Sequence, residues 1–303
     1  MGELAIEAHG LEKSYGTRRA LNGVDLEVGM GEIFGFLGPN GAGKTTAIRC
    51  FLDLIRPSAG SIRVLGFDAQ KQSVEIRRRS GYLPGELRLD ERRTVRKTLE
   101  FYASLRGETS RSKALSRYPD LATRLDLELD LRVGALSKGN KQKVGIIVAL
   151  MHDPALLILD EPTSGLDPLI QHEVLRLVVG ARDRGATVFF SSHQLSEVQE
   201  IAERVAMIRD GVVVEVAETE RLMHRSFRRV VLRFGEAVER HGLAELEGVV
   251  VLTDEPHQVR LEVTGDMGAL LAEMSKLPIV EFETETPTLE EIFRSYYEQD
   301  EPE

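Results

Sequence analysis

Cysteine and tryptophan are scarce or missing in this chain of 303 residues. It has one cysteine, Cys50, and no tryptophan. A lone cysteine forms no internal disulfide, which excludes the disulfide-stapled secreted scaffolds and is typical of a reducing compartment. We therefore interpret Cys50 as a small buried apolar residue.

Long apolar runs are also missing. No run approaches the roughly 18 consecutive apolar residues that span a bilayer. The N-terminal residues lack the basic start and apolar middle of a signal peptide. The sequence therefore predicts a cytosolic chain that reaches the cytoplasmic face of the cell membrane only by binding a membrane partner.

An excess of positive charge is the third feature that the sequence lacks. Its 39 Lys and Arg residues are outnumbered by 49 Asp and Glu residues, which gives a formal net charge of −10. Binding to a nucleic-acid backbone depends on clustered positive charge. We therefore expect no nucleic-acid partner.

Short apolar runs and segments with helical spacing alternate along the first two thirds of the chain. The clearest strand is Ile33–Leu37, which is apolar on both faces and is followed by glycines. Further strands are predicted at 4–8, 21–28, 155–159 and 187–190, and helices at 44–55, 94–107, 141–152, 170–182 and 195–203. This alternation predicts an α/β domain built on a mostly parallel sheet.

The pattern changes near residue 220. Period-2 alternation then predicts several strands, followed by a helix at 267–277, a strand at 279–284 and a closing helix at 289–297. We therefore predict two domains, residues 1–220 and a small α+β domain at 221–303.

A glycine-rich loop with the sequence GPNGAGKT lies between Ile33–Leu37 and the helix predicted at 44–55, and it fits GxxxxGK(S/T). Glycine lets the backbone wrap around phosphates with its N–H groups pointing inward, and the following helix presents its positive end. Lys44 is expected to bridge the outer phosphates and to assist catalysis, and Thr45 to bind Mg²⁺. The expected nucleotide contacts are Gly38, Pro39, Asn40, Gly41, Ala42, Gly43, Lys44, Thr45 and Thr46.

Two acids, Asp160 and Glu161, come directly after the apolar strand predicted at 155–159. Such a strand places both carboxylates at the carboxyl edge of the sheet, where α/β proteins bind ligands. Asp160 is expected to bind Mg²⁺, and Glu161 to orient and deprotonate an attacking water.

The segment Leu136-Ser137-Lys138-Gly139-Asn140-Lys141-Gln142 resembles the LSGGQ-like signature of ABC ATPases, and the chain continues from it into Asp160 and Glu161 as in that family. Lys138 departs from the usual second glycine. Ser137 is suited to cap the following helix, whose first N–H groups then face outward. The resemblance implies that two cassettes sandwich two ATP molecules head to tail, with Ser137 and Gly139 of each chain contacting the nucleotide bound by the other.

Three further residues match the family in order. The resemblance implies that Tyr15 stacks on adenine, that Asp167 belongs to the D-loop that couples the two sites, and that His193 is the switch histidine on the γ-phosphate. In the segment Gly81-Tyr82-Leu83-Pro84-Gly85-Glu86, Gly85 stands where the family usually has the Q-loop glutamine. Glycine cannot bind Mg²⁺ through a side chain, so either Glu86 substitutes or the loop only couples mechanically to a membrane partner.

The resemblance implies a P-loop NTPase with a mostly parallel core sheet, an antiparallel β subdomain and a helical subdomain at about residues 88–152. The C-terminal domain resembles that of the subfamily that exports drugs, lipids or polysaccharides. We thus expect an ATPase that drives export, with ATP and Mg²⁺ as its ligands. Its expected partners are a second ABC cassette, identical or different, and integral membrane permease subunits.

Two other functions fit an ABC ATPase. One is a non-transport role in DNA repair or on ribosomes, but the chain has no long insertion between Lys44 and Ser137, no zinc cysteines and no second cassette. The other is a cassette that binds ATP without hydrolysing it. Gly85 is the only sign of this, and the presence of Glu161 and His193 argues against it.

Overall fold

The computed structural model describes residues 3–225, 228–237, 242–264 and 267–285. The chain divides into two units, Met1–Glu218 and Thr219–Glu303. The boundary between them lies two residues before the position predicted from the sequence.

The first unit contains ten strands and seven helices among its described residues. Its strands are β1 (Leu4–Tyr15), β2 (Arg18–Gly29), β3 (Ile33–Leu37), β4 (Ala59–Val64), β5 (Phe67–Asp68), β6 (Ser80–Leu83), β7 (Leu156–Asp160), β8 (Thr187–Ser192), β9 (Arg204–Arg209) and β10 (Val212–Glu218). Its helices are α1 (Lys44–Phe51), α2 (Ser73–Arg79), α3 (Val95–Ser104), α4 (Glu108–Arg124), α5 (Lys138–Leu150), α6 (Pro168–Asp183) and α7 (Leu195–Ile201).

The core of this unit is a six-stranded sheet in the order β10-β9-β3-β8-β7-β6. All neighbouring pairs are parallel except β9 and β10. Every residue of β3, β7 and β8 is buried, because helices cover both faces of a parallel sheet. The predicted α/β fold is confirmed, and the carboxyl ends of these three strands lie along one edge.

A second, antiparallel sheet has the order β2-β1-β4-β5. Its two long strands extend well beyond the segments predicted at 4–8 and 21–28, because β1 and β2 stay paired through several register shifts. The alternation of apolar and polar residues is broken at each shift, so the pattern reveals only part of each strand.

Two helices in this unit differ from their predicted bounds. The helix after the glycine-rich loop ends at Phe51 rather than near residue 55, and Asp53 has a φ of 50°, which no α-helix accommodates. Helix α5 begins at Lys138, three residues before the predicted start. Ser137 Oγ accepts a hydrogen bond from Asn140 N at 3.2 Å, so Ser137 is the N-cap.

The described part of the second unit contains α8 (Thr219–Arg225), β11 (Arg228–Phe234), β12 (Val249–Glu255), β13 (Gln258–Val263), α9 (Gly268–Met274) and β14 (Ile279–Glu285). The strands form an antiparallel sheet in the order β12-β13-β11-β14. Apolar side chains from this sheet pack with Leu243, Leu270 and Met274 in a core of their own. The helix predicted at 289–297 lies outside the described residues.

Among the residues that the structure describes, no helix has the length and apolar composition that crossing a membrane requires.

Candidate functional site

The glycine-rich loop connects β3 to α1 and lies against the neighbouring strands. A side chain at Gly38 would place its Cβ 2.3 Å from the carbonyl oxygen of Ile208, and one at Gly43 would place it 2.6 Å from that of Ala20. Gly43 also has a φ of 113°, which L-amino acids with side chains rarely adopt. These two positions therefore require glycine, and they fix the curve of the loop.

Lys44 begins α1, and its ammonium group lies within the curve of the loop. The side chain is only 5% exposed. Its Nζ donates hydrogen bonds to the carbonyl oxygens of Gly38, at 2.6 Å, and Pro39, at 3.2 Å. The same Nζ lies 3.4 Å from Oε1 of Glu161. A cation is thus held at the floor of the loop, beside a carboxylate from β7's end.

Asp160 ends β7 and is almost fully buried, at 1% exposure. Its Oδ2 accepts a hydrogen bond from Thr45 Oγ1 at 2.7 Å, and its Oδ1 accepts one from Ser191 Oγ at 2.6 Å. A hydroxyl oxygen and a carboxylate oxygen are therefore adjacent beside the loop. Oxygen ligands of these two kinds are those that Mg²⁺ prefers, so the residues fit this ion.

Glu161 follows Asp160 in a left-handed backbone conformation, with a φ of 51°. This conformation is strained for a residue with a side chain. The Glu161 amide donates to the carbonyl and to Oγ of Ser191, at 3.2 Å in both cases. Its carboxylate lies between Lys44 and His193, whose Nδ1 is 3.3 Å from Oε2. The backbone turn thus aims this carboxylate between two nitrogen groups.

A cavity of about 360 Å³ opens above the loop. Its lining residues are Tyr15, Arg18, Ala20, Pro39, Asn40, Gly41, Gly43, Lys44, Thr45, Thr46 and Glu161. Tyr15 is 48% exposed, and Lys13 Nζ lies 5.2 Å from the centre of its ring. Most of the residues that we expect to contact a nucleotide therefore lie around one cavity.

Arg18 and Ala20 were not predicted from the sequence. They belong to β2, and Arg18 pairs with Tyr15 across the turn between β1 and β2. No motif marks either residue, because only the pairing of the two strands brings them to the loop.

Seven predicted site residues do not line this cavity within the described part of one chain: Gly38, Ala42, Ser137, Gly139, Asp160, Asp167 and His193. Ser137 caps α5, and Asp167 caps α6 through a 3.1 Å hydrogen bond from Ile170 N to its Oδ1. A Cβ at Gly139 would lie 2.7 Å from the carbonyl oxygen of Gly165. The signature segment and the D-loop are therefore neighbours of each other.

The segment 161–167 is also held by two glutamine side chains, buried Gln142 and partly buried Gln171, whose contacts the sequence analysis missed. Gln142 of α5 donates from Nε2 to the carbonyl oxygens of Glu161, at 3.1 Å, and Pro162, at 3.2 Å. Gln171 of α6 donates to the carbonyl oxygen of Leu166 at 3.1 Å. Gln142 lies in the polar first part of α5, between Lys141 and Lys143, so no signal in the sequence distinguished it.

Gly85 lies directly beside the predicted metal ligand. A Cβ at this position would be 3.1 Å from Oδ2 of Asp160 and 3.3 Å from its Cγ. Glu86 is exposed. Nearby, burial and then the charge of Asp160 raise the pKa of Tyr82. At the position where the family usually has glutamine, the backbone of Gly85 thus lies close to the Asp160 carboxylate.

Comparison with known families gives two matches along the chain. A family profile described as "ABC transporter" matches residues 21–164, and one described as "ATP-binding protein DrrA1-3-like, C-terminal domain" matches residues 219–297. One profile thus matches within each unit.

Two similar proteins match along nearly the whole chain. The daunorubicin resistance ATP-binding protein DrrA3 of Streptomyces coeruleorubidus is 36% identical, over 97% of this chain and 96% of its own length. The Nod factor export ATP-binding protein I of Rhizobium sp. (strain N33) is 32% identical, over 97% of both chains. Among solved structures, one described as the ATP-binding subunit of an ABC transporter superposes with a TM-score of 0.67 at 30% identity, covering 72% of this chain and 91% of that one.

Proposed function

This chain belongs to the family of ABC transporter ATP-binding proteins, and from that premise we propose that the cavity above its glycine-rich loop binds ATP with Mg²⁺ and hydrolyses the ATP to drive export. One observation carries the proposal: Lys44, Glu161 and His193 converge at the carboxyl edge of the sheet, with the Glu161 carboxylate within 3.4 Å of both nitrogen groups. Relatives named for drug resistance and for Nod factor export support transport rather than a role in DNA repair or on ribosomes.

The loop accounts for binding of the phosphates. The N–H groups of the loop and the N-terminus of α1 attract the triphosphate, and Lys44 exchanges its bonds to Gly38 and Pro39 for the outer phosphate oxygens. Tyr15, exposed at the mouth of the cavity, offers a ring face for the adenine. Arg18, on the same rim, adds a cation close to the phosphates.

Thr45 and Asp160 are the residues that would hold Mg²⁺, Thr45 through its hydroxyl and Asp160 directly or through water. When bound, the ion neutralises charge on the phosphate oxygens. Ser191 keeps the Asp160 carboxylate turned toward Thr45 by its bond to the other carboxylate oxygen.

Glu161 is the base that we assign to hydrolysis. Its carboxylate accepts a proton from the water whose oxygen attacks the γ-phosphorus, the bond to the β-phosphate oxygen breaks, and ADP and phosphate are released. His193 holds Glu161 from one side and donates toward the γ-phosphate. Lys44 stabilises the negative charge that develops on the transferred group.

A second cassette completes the site. The capped end of α5 presents the N–H groups after Ser137, together with Gly139, on the exposed side of the chain, where the phosphate of a partner's nucleotide would bind them. Leu169, two residues after Asp167 in the sequence, is 81% exposed. An apolar side chain so exposed beside the D-loop favours contact with another cassette.

We further propose that this chain functions at the cytoplasmic face of the membrane, bound to separate permease subunits. The C-terminal match to the DrrA-like domain supports the subfamily that exports drugs, lipids or polysaccharides.

The test is ATP turnover by the full chain and its Glu161→Gln variant. The variant should lose at least about a hundredfold in kcat and keep ATP affinity, because the base is lost while the loop is unchanged. Glu108→Gln, an exposed acid at the start of α4, is the matched control and should hydrolyse ATP normally. Wild-type turnover by Glu161→Gln would refute the assignment.

A further inference from the structure

Glu197 of α7 is a buried carboxylate that has no part in the proposed chemistry. It is 7% exposed. Its Oε1 accepts a hydrogen bond from Thr163 Oγ1, and its Oε2 accepts one from Ser192 Oγ at 2.6 Å. A buried carboxylate is costly unless its oxygens are hydrogen-bonded, and each oxygen here has a hydroxyl donor.

The two donors belong to different functional segments. Ser192 ends β8 and directly precedes His193, and its Oγ also accepts a hydrogen bond from Gln194 N at 2.9 Å. Thr163 lies two residues after Glu161, in the segment that leads to Asp167. Its carbonyl oxygen accepts a bond from Leu166 N at 3.1 Å. One side chain therefore joins the histidine turn to the segment that carries the base and the D-loop.

The two glutamine side chains that hold this segment do not make such a connection in the described contacts. Gln142 and Gln171 bond only to backbone carbonyls between Glu161 and Leu166. Glu197 differs because its two oxygens bind two segments that approach the cavity on neighbouring strands, β7 and β8.

We propose that Glu197 is a positioning residue that couples His193 to the D-loop, so that contact with the γ-phosphate in one cassette is transmitted to the segment facing the other. The proposal rests on the proposed function, in which His193 contacts this phosphate. A shift of the His193 turn moves Ser192, and the shared carboxylate carries that movement to Thr163. The link meets the glycine-rich loop through a backbone bond, in which the carbonyl oxygen of Ser192 accepts from Gly38 N at 3.3 Å. The side-chain bonds of Thr163 and Glu197 lie outside the loop, so we expect changes at these two residues to leave ATP binding largely unchanged.

The test uses the full chain with Thr163→Val, which removes the hydroxyl at nearly constant volume, and Thr163→Ser, which keeps it. Thr163→Val should lower kcat roughly tenfold, the effect of losing one hydrogen bond to a charged group, with the ATP concentration for half-maximal rate changed less than about twofold. The Thr163→Ser variant should retain most of the wild-type kcat. Glu197→Gln should also lower kcat, because an amide offers one acceptor oxygen instead of two.

Coupling is measured by combining the changes. In the Glu197→Gln background, Thr163→Val should have less than about a twofold further effect, since the link is already broken. Glu200→Gln, an exposed acid on the same helix, is the control and should keep the wild-type rate. Independent effects that multiply, or a wild-type rate in Glu197→Gln, would overturn the proposal.

Hydrogen exchange without nucleotide gives a readout that does not require hydrolysis. Thr163→Val should speed exchange of the Gln194 amide, and Ser192→Ala should speed exchange of the Leu166 amide, each across the carboxylate from the altered residue. Effects confined to the altered segment would overturn the coupling even if both variants hydrolyse slowly. An inactive wild-type chain that still shows the crossed exchange would count against the proposed function and leave the link between the segments standing.

Discussion

The Oε2 atom of Glu161 lies 3.3 Å from Nδ1 of His193, and the two residues follow neighbouring strands of one parallel sheet. They are far apart in sequence, and the sheet alone brings them together. In the proposed chemistry this contact keeps the base from turning away from the attacking water.

Replacing His193 with alanine should reduce kcat by about a hundredfold while ATP affinity changes little. In the proposed mechanism the loop and Lys44 bind the phosphates, whereas His193 contacts Glu161 and the γ-phosphate. Single-turnover hydrolysis and binding of a fluorescent ATP analogue measure the two effects separately. The surface variant His172→Ala is the control, and equal loss of affinity and turnover in His193→Ala would contradict the assignment.

Lys44→Ala should weaken ATP binding by tenfold or more, because it removes the one buried cation that the structure places within the loop. Equilibrium titration with the analogue measures this. Lys71→Ala, an exposed lysine, should bind normally. An unchanged dissociation constant for Lys44→Ala would argue that the nucleotide does not bind above the loop.

Gly85→Ala should lower kcat several-fold, although it gives a side chain to a position where the family usually has glutamine. The new Cβ would lie 3.1 Å from Asp160 Oδ2 and would displace the carboxylate from Thr45. We expect the Mg²⁺ concentration for half-maximal activity to rise with it. Gly107→Ala is the matched control, since a Cβ there meets nothing within 4 Å.

Ser137→Arg should abolish hydrolysis while ATP binding stays intact, because in the proposed arrangement the capped end of α5 acts on a partner's nucleotide. Mixed with an equal amount of Glu161→Gln chains, it should recover at most roughly a quarter of the wild-type rate. Half of the dimers are then mixed, and each has one intact site of two. Full recovery would contradict the head-to-tail arrangement.

The stability of the first unit should fall as the pH drops from about 7 to 5. Burial, and then the charge of Arg106, lower the pKa of His152 to about 4. In the unfolded chain the pKa of histidine is about 6.5, so between these two pKa values the unfolded state binds more protons than the folded state. The free energy of unfolding therefore rises with pH across this range. The contribution of neutral His152 is thus present above pH 6.5 and is lost as the pH falls toward 4.

The expected loss between pH 7 and 5 is about 2 kcal/mol in the free energy of unfolding. Denaturant titrations of the wild type and of His152→Gln measure it, because glutamine does not titrate and can still donate to the Ser80 carbonyl that His152 Nε2 contacts at 3.2 Å. The same slope in both proteins would exclude His152 as its source.

Contiguous motifs could be predicted from the sequence. The loop from Gly38 to Thr45 and the pair Asp160 and Glu161 consist of neighbouring residues in a strand-loop context, so local pattern was enough to propose their roles. The parallel sheet was predicted for the same reason, since its buried strands are short apolar runs.

Contacts that depend on packing could not be predicted. Arg18 reaches the cavity through strand pairing, and Glu197 meets Thr163 and Ser192 only because α7 packs beside the ends of β7 and β8. The separation of these residues in the sequence does not indicate how close they are in space. The predicted ends of helices were wrong where a single backbone conformation sets the end. At Asp53, a left-handed φ prevents α1 from continuing.

The backbone at Glu161 has a consequence for selection and engineering. A φ of 51° suits glycine far better than glutamate, so the chain holds a carboxylate where its own conformation disfavours one. Glu161→Gly should therefore raise the melting temperature while abolishing turnover. Stability screens of this protein would therefore favour substitutions at Glu161 that abolish hydrolysis in the proposed mechanism.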